Sequence, residues 1–563
     1  MFAKYYHTLI NLKLIQIRYQ LWYRIRRSWR KLSGFNYSLF ICKEGYPLIL
    51  KPWIEKSITF NNYTFTFLNQ TRVFPDFSLG EDQKEHTIIW NEVCYGKLWA
   101  YNLNYMDYLL QTGIEKETGF LLIKQFINGL PKNKIGLEPY PISLRGINWI
   151  KFLSSHIMKE PEKISKQTLP ISRINTSLYA QYQILLDNLE FHLLGNHLLE
   201  NAFSLLFGAL YFHDKYIWIR ANQLLEKELE KQILSDGAHF ELSPMYHQII
   251  LDRLLDCINL VQNNKRFDRQ ESLLTRMKEK AEKMLQWLNY MTFSNGEIPL
   301  FNDSAFGIAP TTNQLNEYAK RLGIFYTNSS RSIVSSYSGY HKFYGKNYEC
   351  IFDVGAIGPL YQPGHVHADT FTFELYIKGI PVIVDTGTST YSKGERRRLE
   401  RGSISHNTVT INTEDTSDVW ASHRVGRQAS VNLITDKDGK VSVSHDGYRR
   451  FNTRINRVFE SDNDFIVIID EINIFQKKNR ILSSDSSRIV TTRLHFHPSR
   501  KAKLQNQILY IDGLAEISFD GLLGINMVEY CYAPEFNKLI KSLMCEMTFN
   551  KKLLTKISIY NSQ

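Results

Sequence analysis

The apolar residues of this chain change period once, and that change restricts the fold more than any other feature. Before about residue 325 they recur at three- and four-residue spacing through Trp99–Leu110, Asn148–Ile157, Leu178–Leu194, Leu198–Phe212, Tyr216–Leu234, Tyr246–Gln262 and Leu273–Tyr290. That spacing is the signature of helices with one buried stripe. After about residue 335 the spacing becomes two, through Tyr348–Val354, Thr370–Ile377, Ile380–Asp385, Asn407–Asn412, Lys440–His445, Phe451–Ser461, Phe465–Ile469, Ile489–Phe496, Gln507–Ile511 and Ile525–Tyr532. Turn residues punctuate these runs, as in Asp436-Lys437-Asp438-Gly439, which is the pattern of an antiparallel sheet. Helices first and strands second exclude an alternating βα fold. The expected architecture is a helical bundle, solenoid or toroid over 90–330 and an antiparallel β-sandwich over 331–563. The boundary is expected at Thr327-Asn328-Ser329-Ser330. Residues 1–89 are expected to form an N-terminal region, with a basic, aromatic-rich helix to about residue 32 and a short β-like stretch at 46–68.

The formal net charge of +12 is unevenly spread: residues 1–31 carry eight Lys and Arg and no acid. The body is therefore nearly balanced, which argues against nucleic acid as a partner. The basic arm, with Tyr5, Tyr6, Trp22, Tyr23 and Trp29, has two readings. It is either an arm making peripheral contact with an anionic surface, a membrane leaflet or the polyanionic substrate itself, or a helix docked on the toroid by its aromatic face with its arginines solvated. Lys13 and Arg18 interrupt the only early apolar run, so a secretory leader is not expected. The longest apolar runs are too short to span a bilayer. A cytoplasmic or membrane-associated location follows as the expectation, with a periplasmic one as the alternative. The six cysteines, Cys42, Cys94, Cys257, Cys350, Cys531 and Cys545, lie far apart with no CxxC pair, and read as free thiols.

The motifs of interest concentrate histidine, tyrosine and asparagine. Gly364-His365-Val366-His367-Ala368-Asp369 places two imidazoles and a carboxylate at alternate positions. In an extended segment such residues share a face, and two histidines with a carboxylate are a zinc-ligand set. Asp385 and His406 follow downstream. Asn196 and His197 begin the expected helix Leu198–Phe212, where free N–H groups favour an anion. Ser243-Pro244 reads as a helix cap and a first-turn proline, which puts Tyr246 in the first turn. Asn302-Asp303-Ser304-Ala305, a loop after the helices, is expected as an outer neighbour of the histidine–aspartate set. Arg396-Arg397-Arg398 with Arg401 is either a solvated loop or a binder of sulfate and carboxylate groups.

Together these segments, with Val384–Tyr391, Ser405–Val409 and Asp418-Val419-Trp420, resemble the heparinase II/III-like polysaccharide lyases over roughly residues 90–430. The resemblance implies an incomplete (α/α) toroid followed by an antiparallel β-sandwich. It also implies β-elimination at a uronic acid of an anionic polysaccharide. In that reading Asn196 and His197 neutralise the substrate carboxylate, Tyr246 is base, acid or both, and His365 is a second acid/base or a further neutralising group. Glu200, Arg397 and Arg401 contact substrate. Zinc sits on His367, Asp385 and His406 in a mainly structural role. The competing expectations are a uronyl C5-epimerase, a glycoside hydrolase needing two carboxylates, and a non-catalytic glycan-binding or assembly protein.

Overall fold

The structure is a computed structural model that describes residues 2–35, 37, 41, 43–76, 88–159, 170–326, 337–475 and 488–561. Cys42 and the boundary expected at Thr327–Ser330 lie outside the described residues. Two amphipathic helices open the chain, α1 (Phe2–Ile10) and α2 (Leu14–Ser33). A three-stranded meander follows, β1 (Phe60–Asn61), β2 (Thr64–Phe67) and β3 (Gln70–Val73). The helical half then runs through α3 (Lys97–Tyr105), α4 (Lys116–Gly129), α5 (Pro139–Lys159), α6 (Ile171–Asp187), α7 (Gly195–Phe212), α8 (Lys215–Gln232), α9 (Pro244–Asn263), α10 (Gln270–Met291) and α11 (Thr312–Leu322).

The expected helices are present, with two differences at their ends. The run Trp99–Leu110 is broken because Met106 is left-handed (φ 55°), so α3 stops and a 3-10 turn, Asp107–Leu110, follows. The run Leu178–Leu194 stops at Asp187. Its last residues form the turn that leads into α7, ending at a left-handed Leu194 (φ 67°). Among the described residues the N-terminal region shares the toroid core: Leu48, Ile54, Phe60, Phe65, Phe67 and Phe74 are buried in the same cluster as the toroid helices.

The C-terminal half is a sandwich. One face is a four-stranded sheet, β4 (Tyr340–Tyr344), β5 (Tyr348–Asp353), β6 (Phe373–Ile377) and β7 (Ile380–Ile383), in sequential antiparallel order. The other is a ten-stranded antiparallel sheet that includes the long pair Ala515–Glu535 and Lys538–Ile559. Phe352, Phe373 and Leu375 of the small sheet pack in one core with Val443, Ile455, Phe459 and Ile466 of the large one. Phe352 stacks on Phe459 at 4.3 Å. The run expected as a strand from Thr370 begins only at Phe373, so the His365–Asp369 segment is a loop. Its convergence therefore does not come from strand alternation.

Candidate active site

The site forms where α7, α9, the loop after α10 and the loop between β5 and β6 of the sandwich meet. Two consecutive left-handed residues, Leu194 (φ 67°) and Gly195 (φ 60°), turn the chain into α7. A Cβ on Gly195 would lie 2.1 Å from Glu241 Oε1, so only glycine admits this approach. Glu241 uses it to grip Asn196. The backbone N–H of Asn196 donates to Oε1 at 2.9 Å and its amide Nδ2–H to Oε2 at 2.6 Å. Burial opposes ionisation of Glu241, but nearby His239 and His365 and the Asn196 hydrogen bonds hold its carboxyl below the ordinary value. His197, one position on, pairs with Glu190 through Nδ1 at 3.1 Å, and its ring lies 4.7 Å from that of Tyr140.

Tyr246 is placed as the cap pattern implies. Ser243 is the N-cap of α9 and Pro244 its first residue, and Ser243 Oγ accepts the Tyr246 N–H at 3.3 Å. The same hydroxyl donates to the Asp303 carbonyl at 2.8 Å, which ties the start of α9 to the 302–304 loop. Asn302 extends the tie. Its amide donates to Leu242 O, and its side-chain oxygen accepts the His367 N–H at 2.9 Å. These bonds bring the histidine loop onto α9. His365 and Tyr246 stack with ring centroids 3.8 Å apart, and Asn196 Nδ2 lies 3.3 Å from His365 Nε2.

The hub beneath them is Asp303. It accepts from His365 Nδ1 at 3.0 Å and His367 Nε2 at 2.9 Å, and takes both Arg397 guanidinium nitrogens at 2.5 and 2.7 Å. Burial works against its charge, yet Arg397 and the two imidazoles hold Asp303 well below the carboxylate range. The Asp303 carboxylate engages His365 through Nδ1, which turns Nε2 toward the Asn196 amide. Tyr246 has the opposite bias. Burial, with Tyr391 and the Asp303 charge close by, raises its phenol well above 10 and keeps it protonated at neutral pH. Tyr391 Oη lies 3.3 Å from Tyr246 Oη and its ring is under Arg397.

Three expected substrate contacts are placed differently. Arg397 and Arg401 are 1 % exposed. They lie four apart at the end of a short helix, α12 (Glu395–Glu400), and both turn inward. Arg397 is spent on Asp303, and Arg401 donates to the Val366 carbonyl from Nε and Nη2 at 3.0 and 2.8 Å. They brace the histidine loop and do not reach a sulfate. Glu200 is fully buried beside Arg253, at 3.3 Å, inside the toroid.

Glu200 gives a pH prediction. Burial pushes its carboxyl from 4.5 up to about 7, against the pull of Arg253. Between these values the folded protein holds a proton that the unfolded chain has released. Stability therefore falls as pH rises through the window, by on the order of 3 kcal/mol. Glu200→Gln should melt at a less pH-dependent temperature between pH 5 and 8 than the parent (a window set by the two pKa values). An unchanged slope would remove Glu200 as its source.

The residues expected to bind zinc are fully buried. His406 Nδ1 bonds Asp385 at 2.7 Å, and the His367 and His406 rings are 5.3 Å apart. His367 Nδ1, His406 Nε2 and Asp369 Oδ2 have no hydrogen-bond partner. Each histidine thus has one nitrogen bound to a carboxylate and the other open, the arrangement of metal-bound imidazoles. The donor types fit zinc. Their spacing is looser: among the described residues the set with ligand atoms all within 4.8 Å is Asp303, His365 and His423. That second set belongs to the acid/base cluster, and Arg397 already occupies its carboxylate.

Residues 152–330 match the family model for the heparinase II/III N-terminus, and residues 328–551 match that for the heparinase II/III-like C-terminal region. The chain belongs to the heparinase II/III-like family. Its fold is that of solved heparinases. A crystal structure of heparinase III superposes with a TM-score of 0.63 at 16% identity, covering 85% of this chain and 80% of that one. A mutant of the heparan sulfate lyase HepC from Pedobacter heparinus gives 0.58 at 18% identity, covering 89% and 82%. A heparin-sulfate lyase of Bacteroides stercoris is 23% identical over 316 residues, 50% of this chain and 44% of that protein. That of Pedobacter heparinus is 27% identical over 248 residues, 39% and 36%. The matches span less than half the length of these curated relatives. Within this heparinase II/III-like chain, Glu241 and Tyr391 are the site residues to which the motif reading gave no role, and Asp303, expected only as an outer neighbour of the site, bonds His365 directly.

Proposed function

We propose that this chain cleaves a uronic-acid-containing anionic polysaccharide by β-elimination. One observation carries the reading: Asn196, Tyr246 and His365, from distant segments of both halves, meet with His365 and Tyr246 stacked at 3.8 Å. The two groups have complementary proton states. His365 offers a lone pair at Nε2, and Tyr246 a phenol held protonated. His365 Nε2 takes the C5 proton, which lies alpha to the uronate carboxylate. The C5–H electrons form the C4=C5 double bond, the C4–O4 bond breaks, and Tyr246 gives its proton to O4. The stacked pair then restores its resting state by one proton transfer. C5–H is a weak acid because the adjacent carboxylate is charged, so charge developing on it must be met by fixed donors. The Asn196 amide is such a donor. Its hydrogen bond to His365 is long (3.3 Å) and is exchanged for a substrate oxygen, while Glu241 holds the rest of the amide in place. His197 stands beside it as the second neutralising group. The heparin-sulfate lyases matched above favour a glycosaminoglycan as the polymer class.

The test is incubation of purified protein with heparan-type, chondroitin-type and other uronate polysaccharides, followed by ultraviolet absorbance and product mass. Elimination gives an absorbing unsaturated uronate with no added water. Products heavier by one water would assign hydrolysis, and inverted but intact chains would assign epimerisation. Absence of any change across the set would leave only glycan binding.

Zinc belongs to the same proposal, with His367, Asp385 and His406 as the residues that would hold it and Asp369 as an additional open carboxylate. When bound, the ion supplies a fixed charge that braces the sandwich wall behind Asp303. His406→Ala should lower metal content and melting temperature together, because metal binding and folding are linked. Protein purified without chelators that carries no stoichiometric zinc would identify a metal-free hydrogen-bonded cluster.

A further inference from the structure

Helix α2 is docked the wrong way round for a soluble helix. A surface helix buries its apolar stripe and shows its polar face. Here the polar and tyrosine side faces the protein. Gln16 Nε2 donates to Leu193 O and Tyr361 O, Tyr19 stacks on Phe191 at 4.6 Å, and Tyr23 Oη donates to Leu189 O. Arg26 bonds Asp187 and Asn188 at 2.9 and 2.7 Å, and Arg30 pairs with Asp187. These residues recur at three- and four-residue spacing along one side. The opposite side carries Leu14, Leu21, Ile25 and Leu32, which are 84, 53, 63 and 87 % exposed. Their spacing of seven, four and seven places them on one line of the helix. Trp22 and Trp29 flank that line, 50 and 66 % exposed, and Tyr6, Leu9 and Ile10 of α1 are likewise more than half exposed. A pocket of ≈ 360 Å³ lined by Trp22, Ile25, Arg26, Trp29, Arg30 and Asp187 lies at the flank of this stripe.

The charges around this surface identify what covers it. Arg18, Arg24, Arg27 and Lys31 are exposed on the same helix, and residues 1–31 contain no acid. Two copies meeting through this face would set like charges against each other. An anionic bilayer matches both features, since it accepts apolar and tryptophan side chains at its interface and attracts the surrounding arginines. No helix among the described residues is long and apolar enough to cross a membrane, and the arginines within α2 are compatible only with a helix lying in the interface plane.

We propose that α1 and α2 form a docking surface that lies in the headgroup region of an anionic membrane. The helices are well placed to orient the site. The Gln16 contacts are made to Leu193 and Tyr361, just before Gly195-Asn196 on one wall and Gly364-His365 on the other, while Thr8 and Tyr5 of α1 hold Val425 and Trp420 of the sandwich. Membrane contact through α2 thus fixes the cleft relative to the bilayer without needing either wall to move. The inference stands independently of the lyase reading.

The experiment is co-sedimentation of the full chain with vesicles of phosphatidylcholine alone or mixed with phosphatidylglycerol, at low and high salt. The full chain should pellet with the mixed vesicles and less so as salt rises. Leu21→Ser with Ile25→Ser should reduce partitioning by about tenfold or more. Arg18→Ser with Arg24→Ser should reduce it by about fivefold per arginine. All four side chains point into solvent, so the variants should melt as the parent does. Failure to bind anionic vesicles overturns the proposal, as does binding indifferent to both double substitutions. A dimer that the Leu21/Ile25 variant converts to monomer, with no vesicle binding by either protein, also overturns it and assigns the face to a second copy of the chain.

Discussion

Tyr246→Phe should abolish nearly all turnover while leaving the fold intact. The substitution removes one oxygen. The ring stays stacked on His365, whose centroid lies 3.8 Å away, and among the described residues the side-chain hydrogen bond lost is the 3.3 Å contact with Tyr391. A proton-transfer group contributes about 10²–10⁴-fold to a rate, so kcat should fall by that factor with KM little changed. The melting temperature should stay near that of the parent, because one long hydrogen bond between two hydroxyls contributes about 1 kcal/mol at most. Tyr391→Phe is the informative companion. It removes the partner of Tyr246 but no proton that the mechanism spends, and should cost far less activity. Wild-type turnover by Tyr246→Phe would eliminate the phenol as the acid. An equal loss in both variants would point to the pair as the proton donor.

How much of this site was legible in the sequence depends on where each residue finds its partners. Tyr246 was readable because its placement is local: Ser243 caps and Pro244 starts the helix within three residues of it. Asn196 was readable for the same reason, at the start of a strongly periodic helix. Asp303 was visible only as an outer loop neighbour of the histidine–aspartate set. Its partners His365 and Arg397 are 62 and 94 residues away, and no local pattern carries that information. The arginine run misled because a basic cluster is ordinarily solvated. A signal was present, since Arg397 and Arg401 are four apart and share a helix face, whereas Arg398 points out. The same division runs through the fold. Helices α7 to α10 are long and repeat apolar residues at three- and four-residue spacing, and were readable. Helix α11 is short and polar, and its Thr311–Gln314 capping box was the available sign. The last strand, Lys538–Ile559, was missed because Lys551-Lys552 interrupts its alternation and its pairing shifts register near Leu522. The direction in which α2 faces was readable only in part. An aromatic face was the expected docking side, and Tyr19 and Tyr23 do dock, but Trp22 and Trp29 stay exposed beside the line of Leu14, Leu21, Ile25 and Leu32.

Asp303→Asn should be the most damaging conservative change in the chain. Asp303 has two oxygens, and both are used to hold Arg397, while His365 and His367 share them. An amide replaces one oxygen with a donor. If Oδ1 keeps Arg397, as the guanidinium requires, then Nδ2–H faces the imidazole and the His365 proton moves to Nε2. The lone pair that takes the C5 proton is then lost, although every heavy atom stays in place. A carboxylate-to-amide change behind a catalytic histidine of a serine protease costs about 10⁴-fold through the wrong tautomer, and a loss of that order is expected here. Stability should fall as well. Arg397 is 1 % exposed, and a buried charge left without its counter-ion costs about 3–5 kcal/mol. The two effects are separable by pairing the substitution with Arg397→Met. The double variant removes the stranded charge and should recover much of the melting temperature, but none of the turnover, because the His365 tautomer is still wrong. Recovery of activity along with stability would show that Asp303 acts only by keeping the loop folded, and the tautomer argument would fall with it.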